Sequence, residues 1–368
     1  MELQEDHADG RRRTVSDASA GVRRPRSGTA GNGRTGSRTV NLALQGGGAY
    51  GAFAWGVLDR MLDDGRIDIE GISASSAGAM NAVVLAHGYE QAGREGARAA
   101  LADFWSRVSH AARAFPLAPA ALDRFINFAP WKALFPAFDV FLRLFSPYQF
   151  NPGNFNPLRA ILDACVDFER VRKGSRIKLF LSATNVRTGK VRVFENAELT
   201  ADAVLASACL PTVFQAVEID GEAYWDGGYM GNPAIFPLIY GCRSRDVVVV
   251  HLNPVSRPDV PKTATEIIDR SNEIAFNSSL IREMRTIEFI TRLIDEGKIA
   301  DGSVKRMFIH ALDAEGAMPS LGVASKLNAD WAFLTELKAL GVARSARWID
   351  AHFQDLSQRS TADFSLYL

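Results

Sequence analysis

A short apolar run that ends in three consecutive glycines constrains this chain more than any other feature. Thr39-Val40-Asn41-Leu42-Ala43-Leu44 reads as a buried strand, and Gln45-Gly46-Gly47-Gly48 breaks it. Ala52, Phe53, Val57, Leu58, Met61 and Leu62 then recur at the three- and four-residue steps of a helix. Gly65 supplies the usual stop for that helix. A second short strand over 69–75 and a small-residue helix over 77–87 follow. Strand, helix, strand, helix is the rhythm of a parallel sheet covered by helices.

Further strands are expected at 177–183, 246–252 and 306–310, and a hairpin over 217–224. Val247-Val248-Val249-Val250 is a continuous β-branched run suited to a strand buried on both faces. Long helices are expected over 264–296 and 325–353. The α/β alternation thus occupies 39–255, with a mainly helical part over 256–368 packed on it. Residues 11–38 hold eight Arg, one Asp and no Lys among Gly, Ser, Thr and Pro. With almost no large apolar residue to offset the entropy of ordering, 1–38 reads as a disordered tail. It lacks the apolar stretch of a secretory signal. It reads either as a solvated leader or as a basic arm for acidic lipid or a secretion address.

The 368 residues balance 42 Lys+Arg against 42 Asp+Glu, which excludes the basic field of a general nucleic-acid binder. Three widely spaced cysteines with no CxxC pair argue against a disulfide framework or a structural zinc site, and make a reducing, cytoplasmic setting the default. The segment 114–150 is crowded with aromatics, including Phe135, Phe138 and Phe145, and is interrupted by Pro130, Pro136 and Pro147. Lys132, Asp139 and Arg143 prevent a membrane-spanning reading. The stretch reads as an inserted cap or lid, either packing on the core or presenting Phe135, Phe138 and Phe145 to acyl chains or a lipid interface.

Gly46-Gly47-Gly48-Ala49-Tyr50-Gly51 fits three readings: a dinucleotide loop, an oxyanion loop of exposed N–H groups, or a bare tight turn. Ala74-Ser75-Ser76-Ala77-Gly78 discriminates, because small residues two positions either side of Ser76 suit a sharp nucleophile elbow. A serine N-cap is the plain alternative. A serine nucleophile needs a base. His251 and His310 follow expected strands, although a packed histidine is the simpler reading of each. Asp226, before Gly227-Gly228, is a better partner, provided that desolvation raises its proton affinity.

Together these residues resemble the patatin-like phospholipases. Gly46-Gly47-Gly48-Ala49-Tyr50-Gly51 is similar to the family's oxyanion loop, Ser76-Ala77-Gly78-Ala79-Met80-Asn81-Ala82 to its nucleophile block, and Asp226-Gly227-Gly228 to its acid motif. Ala206-Ser207-Ala208-Cys209-Leu210-Pro211-Thr212-Val213-Phe214 is similar to a further block before the acid. The resemblance covers roughly 39–255. It implies a three-layer α/β/α fold with a mainly parallel central sheet, and a Ser76–Asp226 dyad with no histidine. It also implies an oxyanion loop at Gly46, Gly47, Gly48 and Gly51, and release of fatty acids from phospholipid or related lipid esters. Such chemistry needs no cofactor and no metal. Two departures stand out: Ala74 where the family usually has Gly, and Tyr50 where it often has Arg or Lys.

Three other functions compete. Acyl transfer from the same serine would want a histidine base at His251 or His310. A nucleotide-binding oxidoreductase would need an acid at the end of the second strand, and Glu70 is at the wrong end. A lipid-binding protein with a vestigial elbow would not react at Ser76. The expected partners are a lipid substrate and a peripheral membrane surface, not nucleic acid.

Overall fold

The computed structural model describes residues 36–114, 144–300, 302–314, 326 and 328–368. Among the described residues, eight strands form one sheet: β1 (Arg38–Leu44), β2 (Ile67–Ala74), β3 (Lys178–Asn185), β4 (Val191–Glu195), β5 (Val217–Ile219), β6 (Glu222–Asp226), β7 (Asp246–Val250) and β8 (Phe308–Leu312). Their order is β5-β6-β3-β2-β1-β7-β8, with β4 also pairing with β3. The five strands from β3 to β8 across β1 are parallel, while β4, β5 and β6 form an antiparallel margin.

The valine run shows why this sheet lies between two layers. Val247, Val248, Val249 and Val250 are all fully buried, and successive side chains in a strand point to opposite faces. Val248 and Val250 join one apolar cluster, Val247 and Val249 the other. Each such side chain is worth about 1.5–3 kcal/mol when removed from water, so both faces must be covered.

The first face is covered by α1 (Gly51–Asp64), α2 (Ala77–Ala114), α3 (Pro157–Cys165), α4 (Phe168–Lys173) and α5 (Ala201–Ser207). The second is covered by α6 (Phe236–Gly241) and α7 (Ala264–Asp295), through Leu238, Leu280, Met284 and Ile287. The final helix, α8 (Trp331–His352), returns to the first face through Leu334, Leu337 and Trp348. The result is the expected three-layer α/β/α arrangement with a mostly parallel sheet.

Gly65 ends α1 in the left-handed conformation, as the sequence suggests. The helix expected over 77–87 instead continues to Ala114, with a break at Ala92 and Gly93. Gly88 and Gly96 bring its two arms together, since a Cβ at Gly88 would stand 2.4 Å from the Gly96 carbonyl. The strand expected at 306–310 lies two residues later, at Phe308–Leu312. Helices α1 and α8 approach to backbone contact: a Cβ on Gly56 would meet the Lys338 carbonyl at 2.0 Å, and one on Gly341 the Phe53 carbonyl at 2.1 Å.

Strands β1 and β7 are neighbours, yet α1 leaves β1 on one face and α7 follows β7 on the other. Such a reversal opens a crevice beyond the carboxyl ends of the strands, the usual place for a ligand in an open α/β sheet. The glycine loop leaves β1 at that crevice.

Candidate active site

Ser76 sits between the end of β2 and the start of α2, with φ +53°. A non-glycine residue in that region costs about 1–2 kcal/mol and needs its surroundings to hold it there. The backbone N–H of Ser76 donates to the Ser207 carbonyl at 3.1 Å and to the Ser207 hydroxyl at 3.0 Å. Ser75 N–H reaches the Leu44 carbonyl at 3.4 Å, tying the elbow to the end of β1. Gly78 has to be small, because a Cβ there would stand 2.5 Å from the Leu44 carbonyl. Ala74, the departure at the other flank, is fully buried in β2 opposite Leu44, so its methyl is accommodated.

The glycine loop lies directly against this elbow. A Cβ on Gly46 would approach Ser76 Cβ to 2.5 Å. Gly46 is held from both sides: its N–H donates to Asn232 Oδ1 at 2.6 Å, and its carbonyl accepts from Asn253 Nδ2 at 2.9 Å. Asn232 Oδ1 also accepts from the Ser75 hydroxyl at 2.6 Å, so one amide fixes loop and elbow together. Gly51 N–H turns back onto the Gly48 carbonyl. The N–H groups of Gly46 and Gly51 are therefore already used. Those of Gly47 and Gly48 have no acceptor among the described residues. Gly48 adopts φ +59°.

Asp226 ends β6 and is fully buried. Its N–H donates to the Cys209 carbonyl at 2.8 Å, and its carbonyl accepts from Thr184 Oγ1 at 2.8 Å. Oδ1 accepts from Gly228 N–H at 2.7 Å. Burial pushes the carboxyl up to about 7; the Gly228 N–H, the Ser76 hydroxyl and the Lys326 charge pull the other way. The Ser76 hydroxyl is thus a close neighbour of Asp226, although Oδ2 has no partner that meets hydrogen-bond geometry. Phe276 of α7 packs on the turn, where a Cβ at Gly228 would stand 2.3 Å from its ring.

The segment 206–214 links the two candidate residues: Ser207 holds the Ser76 N–H, and Cys209 holds the Asp226 N–H. Sequence reasoning missed Gln45, Asn232, Asn253 and Lys326. The available signals were Asn232 four residues after Gly228 and Asn253 three after the valine run. Gln45 Oε1 accepts from Leu252 N–H at 2.8 Å and Asn253 N–H at 3.0 Å, and its amide donates to Asn277 Oδ1 at 3.0 Å.

Both strand histidines are engaged elsewhere. His251 shares a 2.8 Å hydrogen bond with the Tyr367 hydroxyl, and burial pushes its imidazole down to about 4. His310 lies between Asp246 and Thr361, 3.0 Å from each. Phe135 and Phe138 lie outside the described residues, and Phe145 is 45% exposed. Among the described residues, no group of three or more His, Cys, Asp or Glu is placed to hold a metal, and no helix is long and apolar enough to cross a membrane.

A mostly parallel α/β/α sheet thus carries a serine at positive φ at one strand end and a fully buried aspartate beside it. The chain matches the family described as patatin-like phospholipase over residues 42–239, more than half its length, and belongs to that family. Membership assigns it to the lipid acyl hydrolases as a class. Among solved structures it is similar to VipD from Legionella pneumophila, at 13% identity and a TM-score of 0.42, over 85% of this chain and 67% of that one. No curated protein matches the chain.

Proposed function

We propose that this protein hydrolyses phospholipid or related lipid esters through Ser76 and Asp226, without a histidine. The observation that carries the reading is the pairing of Ser76, held at φ +53°, with a fully buried Asp226 whose carboxyl is raised to about 7. An ordinary exposed carboxylate is too weak a base for a serine hydroxyl, whereas one near neutrality combines availability with proton affinity.

Ser76 Oγ attacks the ester carbonyl carbon as its proton passes to Asp226. The tetrahedral oxyanion accepts from the Gly47 and Gly48 N–H groups, which have no acceptor among the described residues. Collapse expels the alcohol, which takes the proton from Asp226 and leaves acyl-Ser76. Water, deprotonated by Asp226, then releases the fatty acid and restores the serine. A histidine-based variant has no support from His251 or His310, whose rings are bonded to Tyr367, Asp246 and Thr361.

The test is release of free fatty acid from mixed phospholipid vesicles, measured by mass spectrometry. Wild type is expected to release it, and Ser76→Ala to release none above the protein-free rate. Equal release by both proteins would overturn the reading.

A further inference from the structure

The glycine loop from Gly46 to Gly51 carries no cationic side chain. A lysine from far along the chain stands beside it. The Lys326 carbonyl comes so close to Gly48 that a Cβ there would stand 2.2 Å from it. Lys326 Nζ lies over the Tyr50 and Phe276 rings, 6.0 Å from each centroid. It donates one hydrogen bond, to Asn253 Oδ1 at 2.8 Å. The charged groups around it are Asp226, Glu273, Asp269 and Arg257. Glu273 is occupied by Arg257 and Arg270, and no carboxylate is ion-paired with Lys326 among the described residues. A cation is therefore kept in the crevice on a neutral amide.

That amide passes the interaction on. Asn253 Nδ2 donates to the Gly46 carbonyl at 2.9 Å, and this carbonyl shares its peptide unit with the Gly47 N–H. The order is ammonium, Asn253 amide, Gly46–Gly47 peptide, and then the Gly47 N–H, the oxyanion donor of the mechanism proposed above. Each member of such a chain polarises the next, drawing electron density from the Gly47 N–H toward the ammonium. In a low-dielectric site a donor strengthened in advance costs no reorganisation when the charge forms.

We propose that Lys326 and Asn253 are positioning residues that polarise the Gly46–Gly47 peptide and so strengthen the Gly47 N–H as an oxyanion donor. The proposal rests on the Ser76 reading above. It assigns to the carboxyl-terminal part of the chain a cation that the loop, with Tyr50 at its fifth position, does not supply. Burial also lowers the proton affinity of Lys326, as expected for an ammonium without a carboxylate partner.

The test is steady-state kinetics of the full chain on p-nitrophenyl butyrate. The variants are Lys326→Met, Lys326→Gln, Lys326→Arg, Asn253→Ala and the Lys326→Met/Asn253→Ala pair. Loss of a whole oxyanion donor costs about 10²–10³ in kcat, so loss of its polarisation is expected to cost about tenfold. Lys326→Met and Lys326→Gln should lower kcat about tenfold with KM within about twofold, and Lys326→Arg should keep most activity. The double variant should be no slower than Asn253→Ala alone, because both act through one peptide. The relay is overturned if Lys326→Met keeps kcat within about twofold of wild type, if the loss lies in KM, or if the two losses multiply. Should Lys326→Met fail to fold, Arg against Gln decides, and equal activity of those two overturns the proposal. Ser76→Ala run in parallel separates the two claims. An active Ser76→Ala removes the underlying reading, whereas an inactive one beside a fully active Lys326→Met removes only the relay.

Discussion

Ser76 and Ser207 are joined by a forked hydrogen bond: one backbone N–H reaches both the carbonyl and the hydroxyl of Ser207, at 3.1 and 3.0 Å. The fork anchors a residue whose backbone is strained at φ +53°. Ser207→Ala removes one prong and keeps the other. A neutral hydrogen bond is worth about 0.5–1.5 kcal/mol net, so urea denaturation should show a loss of about 1 kcal/mol. Ester turnover should fall in the same variant, because the elbow is held less firmly. Unchanged stability and turnover would mean that the carbonyl alone suffices.

As the proposed general base, Asp226 must be ionised to accept the serine proton, and its carboxyl is raised to about 7. The pH dependence of kcat/KM on a short-chain ester should therefore rise through a single ionisation near pH 7 and level off above it. A profile already flat from pH 5 upward would show that the general base titrates elsewhere.

The same shift sets a stability trade. A carboxyl raised from 3.8 to about 7 on folding favours the folded state fully below pH 4, and that contribution is lost as pH rises through 7. Asp226→Asn keeps an acceptor for the Gly228 N–H and has no charge to desolvate. Its stability relative to wild type should grow by roughly 1.4 kcal/mol per pH unit between 4 and 7, then level off. Glu283, also raised to about 7 by burial, is common to both proteins and cancels in the difference. Denaturant melts at pH 4.5, 6 and 8 measure this, and a difference independent of pH would contradict it.

Gly341 places α8 against the Phe53 carbonyl of α1, the helix that follows the glycine loop. Gly341→Ala puts a methyl 2.1 Å from that oxygen, and backbone cannot yield as a flexible side chain does. Overpacking of this kind costs about 1–3 kcal/mol, so the denaturation midpoint should fall. An unchanged midpoint would show that α8 can slide away at no cost.

What the sequence made legible was local. The strand before Gly46, the elbow at Ser76, the valine strand and the Asp226 turn each carry their signal within about ten residues, as hydrophobic period, small flanks or glycine pairs. Asn232, Asn253 and Lys326 were not legible, because their roles exist only across the fold. Asn232 reaches Gly46 over 186 positions, and Asn253 reaches it over 207. Nothing in the sequence near an asparagine says whose backbone it will satisfy. The extension of α2 beyond His87 was hidden by Gly88, Gly93 and Gly96, which look like helix breakers and instead serve one turn and one close contact. The distinction between Gly46 and its neighbours as donors likewise required knowing where Asn232 lies.

Reaction of the folded protein with a fluorophosphonate, read as intact mass with peptide mapping, tests the central claim most directly. A single stoichiometric adduct on Ser76 is predicted for wild type, none for Ser76→Ala, and labelling at least about 10²-fold slower for Asp226→Asn, the usual contribution of a positioned base. An adduct on a residue other than Ser76, or labelling of Asp226→Asn at the wild-type rate, would contradict the account.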